Sequence, residues 1–237
     1  MSERAETGSS GTANTVRPPR LIVFDVNETL SDMSVMADRF TEVGAPGHLA
    51  KTWFTGVLRD GFALAAAGAS APFAEIGAGL LKTQLASLPL NRGLAEAMEH
   101  IMDGFTRLEL HPDVEPGIAA LAALGIRLVT LSNGSADTTA DLLERAGISD
   151  RFELQLSVED AGTWKPGPDS YRYALDRCGA VAAESLLVAV HPWDIDGANR
   201  AGLATAWLNR AGNPYPGYFQ RPDFEVTTLG GLAEVLS

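Results

Sequence analysis

The segment LIVFDVNETL, residues 21–30, decides the fold of this chain. Its first four residues are apolar, and they lead directly to Asp25 and a run of turn-forming residues. This pattern predicts a buried parallel strand with a carboxylate at its C-terminal tip, the edge where open α/β sheets bind ligands. Asp25 is therefore either a nucleophile that forms a covalent ester or a cap that tethers the turn. This segment alone supports both interpretations.

The composition argues against several classes of function. The 237 residues are 46% hydrophobic, enough for one substantial core, and their net charge is −12. So acidic a chain does not favour a nucleic-acid or anionic-membrane surface, which needs clustered Lys and Arg. Cys178 is the single cysteine, which excludes an intrachain disulfide and a cysteine-based zinc site. The sequence shows no membrane-length apolar run and no signal-peptide core, so we expect a soluble, cytoplasmic protein. Whether it forms a homodimer stays open.

The order of the predicted elements indicates a doubly wound α/β core that is interrupted once. Residues 1–20 are rich in small and polar residues and are predicted to form a disordered tail. Residues 33–108 contain no convincing strand, and prolines divide them into helical patterns. From residue 109 onward, helices and strands alternate, which predicts a parallel, Rossmann-like sheet. We therefore assign residues 21–32 and 109–237 to the core and residues 33–108 to an inserted helical cap subdomain.

Polar side chains follow two further predicted strands. Ser132 and Asn133 come after the strand at residues 126–131, where their side chains and the N–H groups of the next helix could bind an anion. Asp194 comes after the strand at residues 186–190, where it could orient a lysine or cap the helix that follows. His191 at the same strand tip is either a catalytic group or a structural histidine.

Lys165 lies in a stiff, proline-rich loop before a predicted helix. Close to Asp25, its ammonium group would keep that carboxylate ionised and aimed. A solvated surface lysine is the alternative, since most lysines are exposed. Tyr171 follows six residues later and could reach the same cleft, although a half-buried core tyrosine is equally consistent with the pattern.

These residues together resemble the motifs of the haloacid dehalogenase superfamily. The matching motifs, in chain order, are Asp25 with Thr29, Ser132-Asn133, Lys165-Pro166, and Asp194 ahead of a helix that contains Gly197 and Gly202. Each motif is weak alone, but four of them in this order are specific, and they span nearly all of the chain beyond the predicted tail. The Leu131–Ser135 and Lys165–Tyr171 patterns, with the helical cap, are most similar to the type II L-2-haloacid dehalogenases.

The resemblance implies a hydrolase that acts on carbon–halide bonds of short 2-haloalkanoic acids. Asp25 would displace the halide and form an ester, which water would hydrolyse to a 2-hydroxy acid, while Lys165, Thr29 and Asp194 hold the nucleophile in line. The implied substrate-binding residues are Ser132, Asn133, Asn27, Tyr171, Trp53, Phe54 and Phe73. The last three would form an apolar wall that excludes water.

No metal ion or other cofactor is implied. Superfamily phosphatases carry two further aspartates, one that protonates the leaving group and one that binds Mg²⁺, and those positions are Asn27 and Val190 here. Phosphoryl transfer needs that charge neutralisation, whereas halide leaves without a proton. Two alternatives remain: a phosphohydrolase with displaced metal ligands, and a non-catalytic member of the fold.

The sequence departs from the family pattern on the cap. Phe54 stands where type II enzymes usually hold an arginine that helps to bind the substrate carboxylate or the departing halide. Arg39, Arg59 and Arg107 are candidates to replace it, and the spacing favours none of them.

Glu28 and His191 also replace residues that are common in the family. Both follow strands that should end at the same cleft, so we expect the two side chains to meet. A carboxylate beside an imidazole would suit the histidine to take a proton from the hydrolytic water. The alternative is that Glu28 caps the turn while His191 fills space.

Overall fold

The computed structural model describes residues 18–237, and its centre is a six-stranded parallel sheet. The strands of the described chain are β1 (Leu21–Phe24), β2 (Ser31–Asp32), β3 (Glu109–Leu110), β4 (Arg127–Ser132), β5 (Leu154–Ser157), β6 (Ser185–Ala189), β7 (Ala204–Leu208) and β8 (Phe224–Val226). The sheet order is β5-β4-β1-β6-β7-β8, and β2 pairs with β3 in a separate antiparallel ribbon. The chain moves outward from β1 in one direction and then in the other, so its topological switch point lies beside β1.

Helices cover both faces of the sheet. They are α1 (Met36–Glu42), α2 (Leu49–Ala66), α3 (Phe73–Leu85), α4 (Leu94–Thr106), α5 (Val114–Ala123), α6 (Ala136–Arg145), α7 (Val158–Ala161), α8 (Pro168–Cys178), α9 (Pro192–Arg200) and α10 (Leu229–Leu236). Successive β1 side chains alternate between two cores: Ile22 and Phe24 pack with α5 and α10, and Leu21 and Val23 pack with α8 and α9. The predicted α/β class with a parallel, doubly wound sheet is confirmed.

Helices α1 to α4 all lie between β2 and β3, so the chain leaves the core and returns to it through this ribbon. They share one hydrophobic core with the sheet face that carries α8 and α9. Gly61 of α2 permits this contact, because a Cβ atom there would lie 2.4 Å from the ring of Trp164. We propose that residues 33–108 form the cap subdomain.

Two expectations concern the ends of elements and of the chain. The predicted tail, residues 1–20, lies outside the described residues except for its last three. Arg20, just before β1, is already held beside the sheet, because its backbone N–H donates to the Glu184 carbonyl and its carbonyl accepts from the Arg127 N–H. The helix that was expected to follow Asp194 begins at Pro192, so Asp194 lies inside its first turn. In residues 18–237, no helix has both the length and the hydropathy that a membrane crossing requires.

Candidate active site

Three neighbouring strands bring candidate residues to one edge of the sheet. Asp25 follows β1, which is hydrogen-bonded to β4 on one side and to β6 on the other. Ser132 ends β4, and His191 follows β6. Because parallel strands present their carboxyl ends to the same edge, these residues surround Asp25 at the switch point.

Lys165 reaches this edge and bridges two carboxylates. Its Nζ donates to Asp25 Oδ1 at 2.8 Å and to Asp194 Oδ2 at 2.6 Å. The exposed fraction is 0% for Lys165, 3% for Asp25 and 0% for Asp194. A solvated surface lysine, the alternative interpretation, is therefore ruled out. An ammonium group so deeply buried is stable only because both carboxylates and their hydrogen bonds compensate for its lost hydration.

The ion pairs also set the ionisation of the site. Burial favours a higher pKa for Asp25, but the Lys165 charge outweighs it with help from His191 and two hydrogen bonds, so the pKa lies below its usual value. Burial lowers the pKa of Lys165, and the two carboxylates more than reverse this. Burial raises the pKa of Asp194, and Lys165 opposes that rise only in part. Asp25 is thus held as the ionised carboxylate that a nucleophile requires.

Thr29 fixes the second oxygen of the same carboxylate. Its hydroxyl donates to Asp25 Oδ2 at 2.6 Å and accepts from the backbone N–H of Val190 at 3.0 Å. Asp25 therefore has one hydrogen-bond donor on each oxygen. Rotating or protonating its carboxylate would break or weaken one of these hydrogen bonds. This arrangement fixes the orientation of the Asp25 carboxylate.

Tyr171 was predicted to contact substrate, but its hydroxyl group contacts Asp194. Its hydroxyl donates to Asp194 Oδ1 at 2.6 Å, and the residue is 1% exposed. Gly197 lets helix α9 lie against it, since a Cβ atom there would be 2.5 Å from the tyrosine oxygen. We therefore propose Tyr171 as a positioning residue for Asp194 in place of the predicted substrate contact.

The turn after β4 is held mainly by its own side chains. Asn133 Oδ1 accepts from the Lys165 backbone N–H at 3.0 Å, and its Nδ2 donates to the Lys165 carbonyl at 3.4 Å. Ser132 Oγ accepts from the N–H of Gly134, and Ser135 caps α6 by accepting from Thr138. Asn133 was predicted to bind substrate, but both of its polar atoms hold the loop that carries Lys165. We propose a positioning role for it.

The predicted apolar wall is only partly assembled. Trp53 is fully buried and its Nε1 donates to the Gly77 carbonyl, so it belongs to the core of the cap helices. Phe73 stacks on Phe105, with ring centroids 4.7 Å apart, and is also buried. Phe54 alone of the three lines a large cleft, and its ring lies 6.4 Å from that of His191.

Residues 19–202 match the model of the haloacid dehalogenase-like hydrolases. The chain belongs to this family. It is 29% identical over 219 residues to haloacetate dehalogenase H-2 of Moraxella sp. (strain B), covering 91% of this chain and 97% of that protein. It is 33% identical to an (S)-2-haloacid dehalogenase of Pseudomonas sp. (strain YL), over 60% of this chain and 61% of that one.

Solved structures show the same architecture. The L-2-haloacid dehalogenase of Xanthobacter autotrophicus superposes with a TM-score of 0.82 at 27% identity, covering 92% of this chain and 98% of that one. Its structure with chloropropionic acid covalently bound gives a TM-score of 0.83 at 26% identity, with the same coverage. The resemblance stated from the motifs is thereby confirmed at the level of the family.

In this hydrolase, Glu28 and His191 lie within ion-pair distance of each other but form no hydrogen bond. His191 Nε2 lies 3.7 Å from Glu28 Oε2 and 3.7 Å from Asp25 Oδ2. The same nitrogen is 3.1 Å from the carbonyl oxygen of Asn27, which is its hydrogen-bond acceptor. The tautomer of the neutral ring is therefore set by a backbone carbonyl, whereas Glu28 contributes charge.

Glu28 adopts a backbone conformation that few side chains tolerate. Its φ is 63°, the only positive value at a non-glycine residue in residues 18–237. A Cβ in this region clashes with the backbone, and such strain is commonly retained where a side chain has a function. The hydrolase thus holds a carboxylate three residues beyond its candidate nucleophile where glycine would fit more easily.

Glu28→Gly is expected to raise the free energy of unfolding by about 1 kcal/mol, because glycine adopts a positive φ without strain. Urea denaturation measures this change. Glu28→Ala is the matched control, since it removes the carboxylate but keeps the Cβ, and it should give no gain. A glycine variant less stable than the wild type would show that contacts of the carboxylate outweigh the strain.

Two residues that the sequence analysis missed hold the turn after Asp25. His111 Nε2 contacts the Glu28 carbonyl at 3.1 Å. Arg210 donates to the Thr29 carbonyl at 2.9 Å and pairs with Asp113 at 2.5 Å. His111 follows β3 and Arg210 follows β7, so a search of every strand end, including these two, would have found them.

None of the three arginines considered as replacements on the cap lines the cleft that contains Phe54. Arg39 pairs with Glu42, Arg59 with Asp60, and Arg107 with Asp103. The cationic residues that do line the cleft are Lys51 and Arg210.

Proposed function

We propose that this hydrolase removes halide from 2-haloalkanoic acids through a covalent ester on Asp25. The observation that carries the proposal is the buried Lys165–Asp25 contact of 2.8 Å, which keeps an ionised carboxylate at the switch point of the sheet. An ionised, oriented carboxylate is the reagent that displacement at carbon needs. The names of the relatives, haloacetate dehalogenase and (S)-2-haloacid dehalogenase, support this choice of leaving group.

In the first step, an Asp25 oxygen attacks the halogen-bearing carbon from the side opposite the halogen. The new carbon–oxygen bond forms as the carbon–halogen bond breaks, and the halide leaves with the electron pair. Water then attacks the carboxyl carbon of Asp25. The bond between this carbon and the ester oxygen breaks, which regenerates the Asp25 carboxylate and releases one proton. The 2-hydroxy acid leaves with inverted configuration.

His191 is our candidate for activating the hydrolytic water. Since Nε2–H donates to the Asn27 carbonyl, Nδ1 is the basic nitrogen of the neutral ring. The Glu28 carboxylate, 3.7 Å from Nε2, stabilises the positive charge that develops when the ring accepts a proton.

His191→Ala is expected to release halide in a single burst and then to stall with Asp25 esterified, because displacement of halide requires no base. Mass spectrometry of the substrate-treated variant would show the adduct on the peptide that contains Asp25. His100→Ala, which changes a histidine on α4 that pairs with Glu42, is the control and should turn over normally. Steady turnover of the His191 variant without accumulated ester would assign water activation to another group.

Activity is expected to survive removal of metal ions by EDTA. Halide needs no electrophile to leave, and the position matched to the phosphatase metal ligand is Val190. Within residues 18–237, no three His, Cys, Asp or Glu side chains come together as a metal site would require. Loss of halide release after EDTA dialysis, with recovery in Mg²⁺, would contradict this prediction and remove the best support for a metal-independent dehalogenase. Assay of a phosphate ester with and without Mg²⁺ tests the phosphohydrolase alternative directly.

Halide release from chloroacetate, fluoroacetate and racemic 2-chloropropionate tests the proposed function. We expect release from chloroacetate and consumption of half of the racemate, with a 2-hydroxy acid of opposite configuration as product. Release no faster than in buffer for all three compounds would refute the proposal and leave the non-catalytic alternative.

A further inference from the structure

The cleft beside Asp25 is larger than a short 2-haloalkanoic acid requires. Its volume is about 540 Å³, within the range that usually accommodates ligands far larger than haloacetate. Glu28 and His191 line this cleft, and His191 Nε2 is also 3.7 Å from Asp25 Oδ2, so the cleft lies directly beside the candidate active site. A substrate of two or three carbons would fill only a small part of it.

The cleft lies on a definite side of the nucleophile. We expect N–H groups at the start of α6, beside the Ser132–Ser135 turn, to bind the reacting carboxylate, because the Asn133 side chain holds the Lys165 loop. This turn lies at the end of β4, on one side of β1. The cleft is lined by residues after β6 and β7, on the other side of β1. A substrate whose carboxylate lies at the turn would present its second carbon to Asp25 and direct the substituent of that carbon into the cleft.

The wall of the cleft is largely apolar. Met33, Met36, Phe54 and Trp207 contribute to it, from the cap side and from the core side. Methionine side chains adapt to irregular apolar ligands. A hydrocarbon chain would therefore lose contact with water along this wall and gain binding energy with every methylene group.

One cationic group in the cleft is free to bind a ligand. Arg210 is already paired with Asp113 and bonded to Thr29, whereas Lys51 makes no hydrogen bond or ion pair with any other residue in 18–237. Lys51 is exposed at the mouth of the cleft. Burial raises the pKa of Glu28, and the charges of His191 and Lys51 are among those that oppose this rise, so the Lys51 ammonium lies near enough to act on a carboxylate in the cleft. Because Glu28 and Asp32 also line the cleft, an anionic group of a ligand would be complemented only where it approaches Lys51.

We propose that the preferred substrate is a 2-haloalkanoic acid with a chain of several carbons that ends in a second carboxylate paired with Lys51. This inference rests on the proposed function and adds the class of substrate. The reacting carboxylate lies at the Ser132–Ser135 turn, the methylene groups lie along the apolar wall, and the terminal carboxylate lies at Lys51.

The experiment compares kcat/KM for (S)-2-chloropropionate, (S)-2-chlorohexanoate and (S)-2-chlorohexanedioate. The last two differ only at the chain end. Burying a methylene group strengthens binding about fourfold, so kcat/KM for (S)-2-chlorohexanoate should exceed that for (S)-2-chloropropionate by at least tenfold. The terminal carboxylate should add about fivefold, the upper end for a solvent-accessible ion pair. Both gains should appear mainly in KM, because the contacts are remote from the reacting carbon.

Lys51→Glu should reverse the preference for the hexanedioate over the hexanoate. Lys82→Glu makes the same change in net charge on α3, outside the cleft, and should keep the wild-type preference. Equal or lower kcat/KM for the hexanedioate in the wild type, or the same preference in both variants, would overturn the assignment. If 2-chloropropionate is the best substrate, the inference fails but the proposed function stands. If none of the three compounds releases halide, the proposed function itself fails.

Discussion

Replacing Asp25 with asparagine should abolish turnover, lowering halide release by about 10⁵-fold or more, as removal of a nucleophile typically does. An amide oxygen cannot displace halide from carbon. The fold should survive, since the amide oxygen can still accept from Lys165 and the Thr29 hydroxyl can accept from the amide N–H. The buried network would then hold one positive and one negative charge, Lys165 and Asp194. Halide release and the circular dichroism spectrum measure the two outcomes.

Asp150→Asn is the matched control, because its carboxylate is 81% exposed and takes no part in the site. Traces of activity in the Asp25 variant could arise from deamidation of the new asparagine. Activity from this source would grow with storage and would coincide with a mass increase of the peptide that contains residue 25. Immediate halide release near the wild-type rate, without that mass change, would contradict the assignment of Asp25 as nucleophile.

The sequence correctly predicted those site residues that stand at the end of an apolar strand. Asp25 follows β1 and Ser132 ends β4, and the alternation of helices with strands predicted that these strand ends share one edge. The structure accordingly brings Lys165 and Asp194 to Asp25 across 140 and 169 residues of chain. Such convergence is predictable because parallel strands share one direction and the apolar pattern identifies each strand.

Side-chain direction was not predictable in the same way. Three residues predicted to bind substrate instead make hydrogen bonds to other groups of the protein: Tyr171 to Asp194, Asn133 to the Lys165 backbone and Trp53 to the Gly77 carbonyl. Only the packed structure reveals these partners. Short elements were also missed, namely the helices α1, α7 and α10 and the strands β2, β3 and β8. The strand β8, for example, has three residues at the sheet edge and only one of them is buried. So short a segment shows no detectable alternation of apolar and polar residues.

Lys165 stabilises the fold as well as the nucleophile. Without it, Asp25 and Asp194 would face each other as buried carboxylates with no cation between them. Removing one partner of a buried ion pair typically costs about 3–5 kcal/mol, so Lys165→Met should unfold at a lower urea concentration than the wild type. Methionine preserves most of the volume of a fully buried side chain, which limits the effect of an empty cavity.

Lys165→Met should also lower kcat/KM by about a hundredfold or more, the scale of a lost acid–base group. Burial and the Asp194 charge would then raise the pKa of Asp25, whereas Lys165 lowers it in the wild type. As the pH is lowered, the variant should therefore lose activity at a higher pH than the wild type does. Its activity should recover in part at alkaline pH. Lys82→Met is the control for removal of a lysine charge. The measurement is kcat/KM against pH, at a temperature where the urea assay shows the variant folded. Activity within a few-fold of the wild type, with an unchanged pH profile, would show that Lys165 does not hold Asp25 in its ionised form.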